Sequence, residues 1–155
     1  MALTFACIDL SKVTYKADLE YELLDPVPIN DVLRVYQDYC AYKNFSSVLP
    51  MIPGRFFVPG TEIWGYRDAG NLVAWSMYRV WDQHSVVCDY HAWDYQTPRL
   101  RLGLRSFKNE CAIYRDRDFR FMYFESVEPY MYNIDGFRIL GRHDNGYLPC
   151  VGQQD

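Results

Sequence analysis

No stretch of this chain is apolar for long enough to cross a membrane. Its N-terminus also lacks the basic run followed by a long apolar segment that marks an exported protein. A soluble, cytoplasmic protein with no membrane partner is expected. Cysteine is present but not in a useful arrangement. Cys7, Cys40, Cys88, Cys111 and Cys150 are odd in number, and no two form a Cys-x-x-Cys clip. That argues against a disulfide framework and a structural zinc site, and for reduced thiols. Positive charge is in deficit: 16 Lys and Arg stand against 20 Asp and Glu, a net charge of −4. General affinity for nucleic acid is therefore not expected. Internal repeats and low-complexity segments are missing too, so residues 1–155 read as one domain, long enough to bury a core unaided.

Aromatic residues are plentiful. They make up 17% of the chain, with 14 tyrosines, which suits half-buried strands and amphipathic pockets. Leu3–Leu10 is an apolar run of strand length, and Val13–Ala17 reads as a second short strand. Asp18–Leu24 fits either helix or strand. After the Asp25–Pro28 breaker, Asn30 is the expected N-cap of a helix from Asp31 to about Phe45. Its apolar face carries Val32, Val35, Tyr36, Tyr39 and Tyr42. Ser46–Gly60, rich in proline and glycine, reads as a loop or flap. Thr61–Arg67 and Leu72–Trp81, joined by Asp68-Ala69-Gly70-Asn71, predict a hairpin, and His84–Trp93 a third strand.

A helix follows over roughly Pro98–Tyr114, with Thr97 as its cap; a later start near Leu102 would put Gly103 in the first turn. Leu100, Leu104, Phe107, Cys111 and Tyr114 form its apolar face. Phe119–Phe124 predicts a buried strand and Glu128–Ile134 a short helix. Phe137–Leu140 and Tyr147–Val151 flank Asp144-Asn145-Gly146 as a final hairpin. The order implies an α+β fold: a mixed, mostly antiparallel sheet with helices on both faces.

The chemistry concentrates between His84 and Cys111. A strand there feeds a helix whose start carries Arg99, Arg101, Gly103 and Arg105. The first N–H groups of a helix have no internal partner and carry partial positive charge, so this reads as an anion cradle. A solvated basic face is the other reading. On the strand, simple alternation puts Asp89, His91 and Trp93 on one face, with Cys88 and Tyr90 on the other. His91 titrates near neutrality and is the better base on chemical grounds. Cys88, facing away from it, reads as buried and inert. His84 falls on the face away from Asp89 and His91, so no metal site is expected.

The strand–loop–helix from His84 to Cys111 resembles the pyrophosphate loop of the GNAT superfamily of acyl-CoA-dependent N-acyltransferases. That loop usually reads Arg/Gln-x-x-Gly-x-Gly/Ala, and the letters here are Arg99-Leu100-Arg101-Leu102-Gly103-Leu104-Arg105. The arginines fall one register either side of the family position, and Arg105 replaces its last small residue. Tyr132-Asn133-Ile134-Asp135-Gly136-Phe137 resembles the family's Tyr-x-x-x-Gly-Phe.

The resemblance implies acetyl-CoA as acyl donor, without a metal, and a primary amine on a small molecule or peptide as acceptor. It implies that Arg99, Arg101, Leu102, Gly103, Leu104 and Arg105 hold the cofactor. It makes Tyr132 the general acid that protonates the departing thiolate, with Asp89 or His91 lining the acceptor side as base. A non-catalytic domain of the same fold is the alternative. A third is suggested by Arg101-Leu102-Gly103, which is similar to a turn in aminoacyl-tRNA-dependent protein transferases and would make tRNA the one nucleic-acid partner. Oligomeric state stays open.

Overall fold

The structure, a computed structural model, describes residues 3–44, 53–96 and 100–143. Seven strands form one sheet: β1 (Leu3–Asp9), β2 (Glu22–Leu23), β3 (Thr61–Asp68), β4 (Asn71–Val80), β5 (Ser85–Trp93), β6 (Phe121–Phe124) and β7 (Phe137–His143). Helix α1 (Ile29–Lys43) covers one face and α2 (Leu102–Asp116) the other. The strand order is β2-β3-β4-β5-β6-β1-β7, and only the β5/β6 pair is parallel. A mixed, mostly antiparallel sheet clothed by helices is the expected class.

The apolar run at the N-terminus becomes a central strand. Phe5, Ala6, Cys7 and Ile8 are all fully buried, because β1 slots between β6 and β7, pairing Ala6 with Phe124 on one side and Ile139 on the other. The expected strand at Val13–Ala17 does not form. The guanidinium of Arg115 takes the carbonyls of Val13 and Tyr15, so this segment lies along α2 rather than joining the sheet. Within Asp18–Leu24 only the two residues of β2 pair, against Gly65 and Trp64.

The β3–β4 hairpin closes on Ala69 and Gly70, both at positive φ (50° and 83°), the conformation that a two-residue turn needs to match strand twist. Helix α1 starts ahead of Asn30, with the carbonyl of Pro28 accepting the Val32 N–H at 3.0 Å, and ends at Asn44 in the left-handed conformation. Its buried face holds Val32, Val35, Tyr39 and Cys40 against Leu72, Trp75 and Met77. Tyr42 turns outward instead and stacks on Tyr95 at 4.1 Å.

Helix α2 takes the later of the two starts. Phe107, Cys111 and Tyr114 of the expected stripe are fully buried, but Leu104, in the first turn, is exposed. Glu110 is carried into the core with them, where the hydroxyls of Tyr66 and Tyr78 donate to its carboxyl at 2.7 and 2.9 Å. The short helix after β6 is a 3-10 turn over Pro129–Asn133. Gly136 (φ 81°) follows it, where an added Cβ would come within 2.4 Å of the Asp9 carbonyl oxygen. The partner strand expected at Tyr147–Val151, its turn at Asp144–Gly146, and Cys150 lie outside the described residues. Cys7, Cys40, Cys88 and Cys111 are free thiols. Among the described residues no helix is long and apolar enough to cross a membrane.

Candidate functional site

The parallel pair runs from Ser85 opposite Phe121 to Cys88 opposite Phe124 and then parts. Two local features cause this. Strand β6 ends at Phe124, and β5 carries an extra residue: Met77 of β4 pairs with Tyr90 but Tyr78 pairs with Cys88, which leaves Asp89 as a bulge. Beyond Cys88, β5 pairs with β4 alone, so its other edge lines a gap.

The bulge also reverses the expected alternation. Cys88 and His91 share the α2 face, while Asp89 and Tyr90 turn to the α1 face. The expectation that Asp89 and His91 lie together, away from Cys88, is therefore corrected. A one-residue insertion moves every side chain after it to the other side. Cys88 stays inert all the same, since burial and the nearby Glu110 push its thiol well above the usual range.

A cavity of about 80 Å³ occupies the gap, lined by Cys88, His91, Trp93, Glu125, Glu128 and Tyr130 among others. His91 bridges two hydroxyls, with Nδ1 3.2 Å from Tyr130 and Nε2 2.7 Å from Ser106. Burial, helped by the charge of Lys43, pulls its pKa down to about 3. A neutral imidazole between two hydroxyls can pass a proton from one nitrogen to the other but does not store one near neutral pH. Burial pushes the phenol of Tyr130 far above its usual range, so it remains protonated.

Tyr132 does not line the gap. It is 59% exposed and rests edge-on against Phe137, with centroids 5.0 Å apart. A 3-10 turn advances about 120° per residue, so Tyr130 and Tyr132 cannot point the same way. The resemblance to Tyr-x-x-x-Gly-Phe selects Tyr132, and it is the neighbouring Tyr130 that lines the gap. The sequence gives no sign of Ser106, whose partner lies across the fold, or of the bulge at Asp89.

Asp89 is gripped by Arg79 through both oxygens, Nε to Oδ2 at 2.6 Å and Nη2 to Oδ1 at 3.0 Å. Its lone pairs are engaged, so it is poorly placed to act as a free base. Among the described residues no cluster of three His, Cys, Asp or Glu could hold a metal ion.

At the mouth of the gap stands the start of α2. Arg101 occupies the cap position in the left-handed conformation (φ 48°), no side chain among the described residues caps the helix, and its first turn contains no acid. The backbone N–H of Arg105 bonds the Arg101 carbonyl at 3.0 Å, so the helix proper begins there. Arg101, Leu104 and Arg105 are exposed, while Leu102 and Gly103 are buried. Gly103 makes room for an indole: an added Cβ would meet Trp93 at 2.9 Å. Arg99 and the cap expected at Thr97 lie outside the described residues.

Lys43, at the end of α1, pairs with Glu128 beyond β6 at 3.4 Å and stands 5.4 Å from the Trp93 ring centre, forming a strap over the gap. A wider cavity of about 410 Å³ opens on the α1 face, and Asp89, Tyr90 and Glu125 line both spaces.

No family model matches the chain, and no curated protein matches it in sequence. Solved structures match it in shape. One, from Novosphingobium aromaticivorans and assigned to the GNAT family of acetyltransferases, has a TM-score of 0.66 at 15% identity, covering 92% of this chain and 62% of that one. An aminoglycoside acetyltransferase from an uncultured soil sample, solved with sisomicin, has a TM-score of 0.55 at 11% identity over 74% of this chain and 81% of that one. Yeast (Saccharomyces cerevisiae) N-myristoyltransferase with bound myristoyl-CoA has a TM-score of 0.51 at 8% identity over 79% and 41%. Two further matched structures are spanned over only 47% and 58% of their length. Identities this low show the fold alone: the chain has the GNAT fold.

Proposed function

We propose that this chain is an acyl-CoA-dependent N-acyltransferase, with acetyl as the group transferred and a primary amine as the acceptor. The observation that carries it is the parting of β5 and β6 at the Asp89 bulge, beside the uncapped start of α2. That juxtaposition joins an edge of unpaired strand backbone, able to donate to a thioester oxygen, to a set of donors for phosphate.

The two ends of such a donor meet different surroundings. For its phosphates, the exposed Arg101 and Arg105 stand at the acid-free first turn of α2. For its thioester arm the gap is tight. About 80 Å³ holds two or three waters, well below the ~300 Å³ at which ligand pockets begin. The Lys43–Glu128 strap or the Trp93 indole must shift to admit it.

In the transfer, the amine nitrogen bonds the acyl carbon, the carbon–sulfur bond breaks, and the thiolate needs a proton. The Tyr130 hydroxyl supplies it and regains a proton from water entering the gap that Tyr130 lines, while His91, anchored on Ser106, holds that hydroxyl in place. The resemblance gives this role to Tyr132, but its hydroxyl is turned to solvent. The proton lost by the amine leaves through water on the open α1 side, where Glu125 and Asp89 stand.

Titration calorimetry with acetyl-CoA, dephospho-CoA and truncated analogues tests the donor: strong heat is expected for acetyl-CoA and weak heat for the others. No heat with any CoA form overturns the proposal. The narrow, strapped gap favours one second reading, a non-catalytic domain that binds a partner on the same fold. Acetyl-CoA binding without CoA release across a panel of amines would select it.

A further inference from the structure

The 410 Å³ cavity on the α1 face holds two guanidinium groups and two carboxylates, Arg55, Arg79, Asp89 and Glu125. Arg79 and Asp89 satisfy each other in a forked pair. That leaves Arg55 and Glu125, the latter within electrostatic reach of Arg79 but not bonded to it. Arg55 is held by a neutral group: its Nη1 donates to the Tyr90 hydroxyl at 2.9 Å, and its guanidinium carbon lies 6.0 Å from the Tyr90 ring centre. Tyr90 is fixed in turn by edge contact with Tyr36 at 5.8 Å and by Trp75 at 6.2 Å. Arg55 is thus aimed, with donors to spare and no carboxylate partner among the described residues. Glu125 directly follows the last residue of β6. It also has no hydrogen bond or ion pair among the described residues, and it lines both the wide cavity and the gap.

These two charges have a direction. The negative one sits where the strands part, and the positive one stands at the exposed rim of the wide cavity, away from the gap lining. An amine awaiting acylation must approach the parting, so its ammonium form meets Glu125. The far end of the same molecule meets Arg55, whose planar fork suits a carboxylate. Building on the acyltransferase function proposed above, we propose that the acceptor is a small zwitterion: a free amino acid, or a close relative carrying a carboxylate near its amine. A polycation such as an aminoglycoside would set like charge against Arg55 and Arg79. A lysine side chain within a protein would bring no carboxylate to Arg55. The cavity, at the small end of ligand-pocket sizes, suits a molecule of this class.

Saturation-transfer NMR on the purified full chain tests this with pools of the twenty L-amino acids, with and without saturating CoA. Each binder is then rerun as its methyl ester and as its decarboxylated amine. At least one amino acid is expected to bind, with its ester and amine about tenfold weaker. Arg55→Gln should erase the preference for acid over ester, and Glu125→Gln should weaken binding of the amine forms. Melting curves confirm that both surface variants are folded. The proposal is overturned if no amino acid binds in either arm, if acid and ester bind equally, or if Arg55→Gln leaves the preference intact. The arm without CoA reports on the acceptor even where acetyl-CoA calorimetry shows no heat, so failure of the donor and failure of the acceptor are separable.

Discussion

Cys88 and His91 of β5 look toward α2, Asp89 and Tyr90 toward α1, and the two sides differ in kind. On the α2 side the two titratable groups packed against the sheet are neutral or nearly so and tied to hydroxyls: His91 to Tyr130 and Ser106, Glu110 to Tyr66 and Tyr78. On the α1 side the groups are charged, partly exposed and grouped around open space. The contrast is one of solvent. Where water is excluded, a titratable group keeps its neutral form and can only relay protons; where water enters, charge persists and can recognise charge. One bulged residue separates the two regimes.

The contrast can be broken most sharply at the tyrosines. Tyr130→Phe removes a hydroxyl from the dry side and should lower turnover by about 10²- to 10⁴-fold with little change in acetyl-CoA affinity. Tyr132→Phe, on the exposed surface, should leave both unchanged. Steady-state kinetics beside calorimetry decides, and the reverse pattern would return the acid's role to Tyr132.

Next in size is a pH effect confined to the buried side. Burial lifts Glu110 to about 7 from the usual 4.5, so the folded state holds a proton that the unfolded state releases; this stability is full below pH 4.5 and is lost as pH rises through 7. Burial lowers His91 to about 3 from 6.5, so the unfolded state holds the extra proton, and stability rises with pH from 3 to 6.5. Between pH 4.5 and 6.5 the two slopes oppose each other. Urea unfolding should be nearly flat there for the native chain. Glu110→Gln should gain about 3 kcal/mol on going from pH 4.5 to 6.5, and His91→Gln should lose about as much. Parallel slopes in the two variants would deny that they share one dry environment.

Gly103→Ala tests how closely that side is packed. The new methyl must displace the Trp93 indole, at an expected cost of about 1–2 kcal/mol in urea unfolding, reduced by alanine's better helix propensity. The smallest effect belongs to the wet side. Arg79→Met leaves Asp89 unpaired but near solvent, and about 1 kcal/mol or less should be lost.

Much of this architecture was legible in the chain. The Ala69-Gly70 turn, the apolar run of β1 and the periodicity of α1 are local signals, and local hydrogen bonding produced what they indicate. The functional arrangement rests on what is not local. No letter marks Asp89 as an extra residue, because a bulge is a property of the pairing with β4, and it reassigned the faces of four side chains. The choice between Tyr130 and Tyr132 turned on whether the short helix winds with three residues per turn. Tyr42 and Leu104 sat at helical spacing yet face outward, since spacing says which residues share a stripe but not where the neighbouring sheet ends. The strand expected at Val13–Ala17 lost its carbonyls to Arg115, a hundred residues away.

The place of β1 has a consequence for how the chain is made. Residues 3–9 are made well before both of their neighbours, β6 and β7, which are among the last described segments to follow. Until then a largely apolar strand waits with two open edges, the kind of template on which nascent chains stick to one another. Assembly of this half of the sheet therefore waits for residues 121–143 and is slow in kind, since a long loop must close before any reward is gained. A chaperone that shields β1 should raise the yield of folded protein.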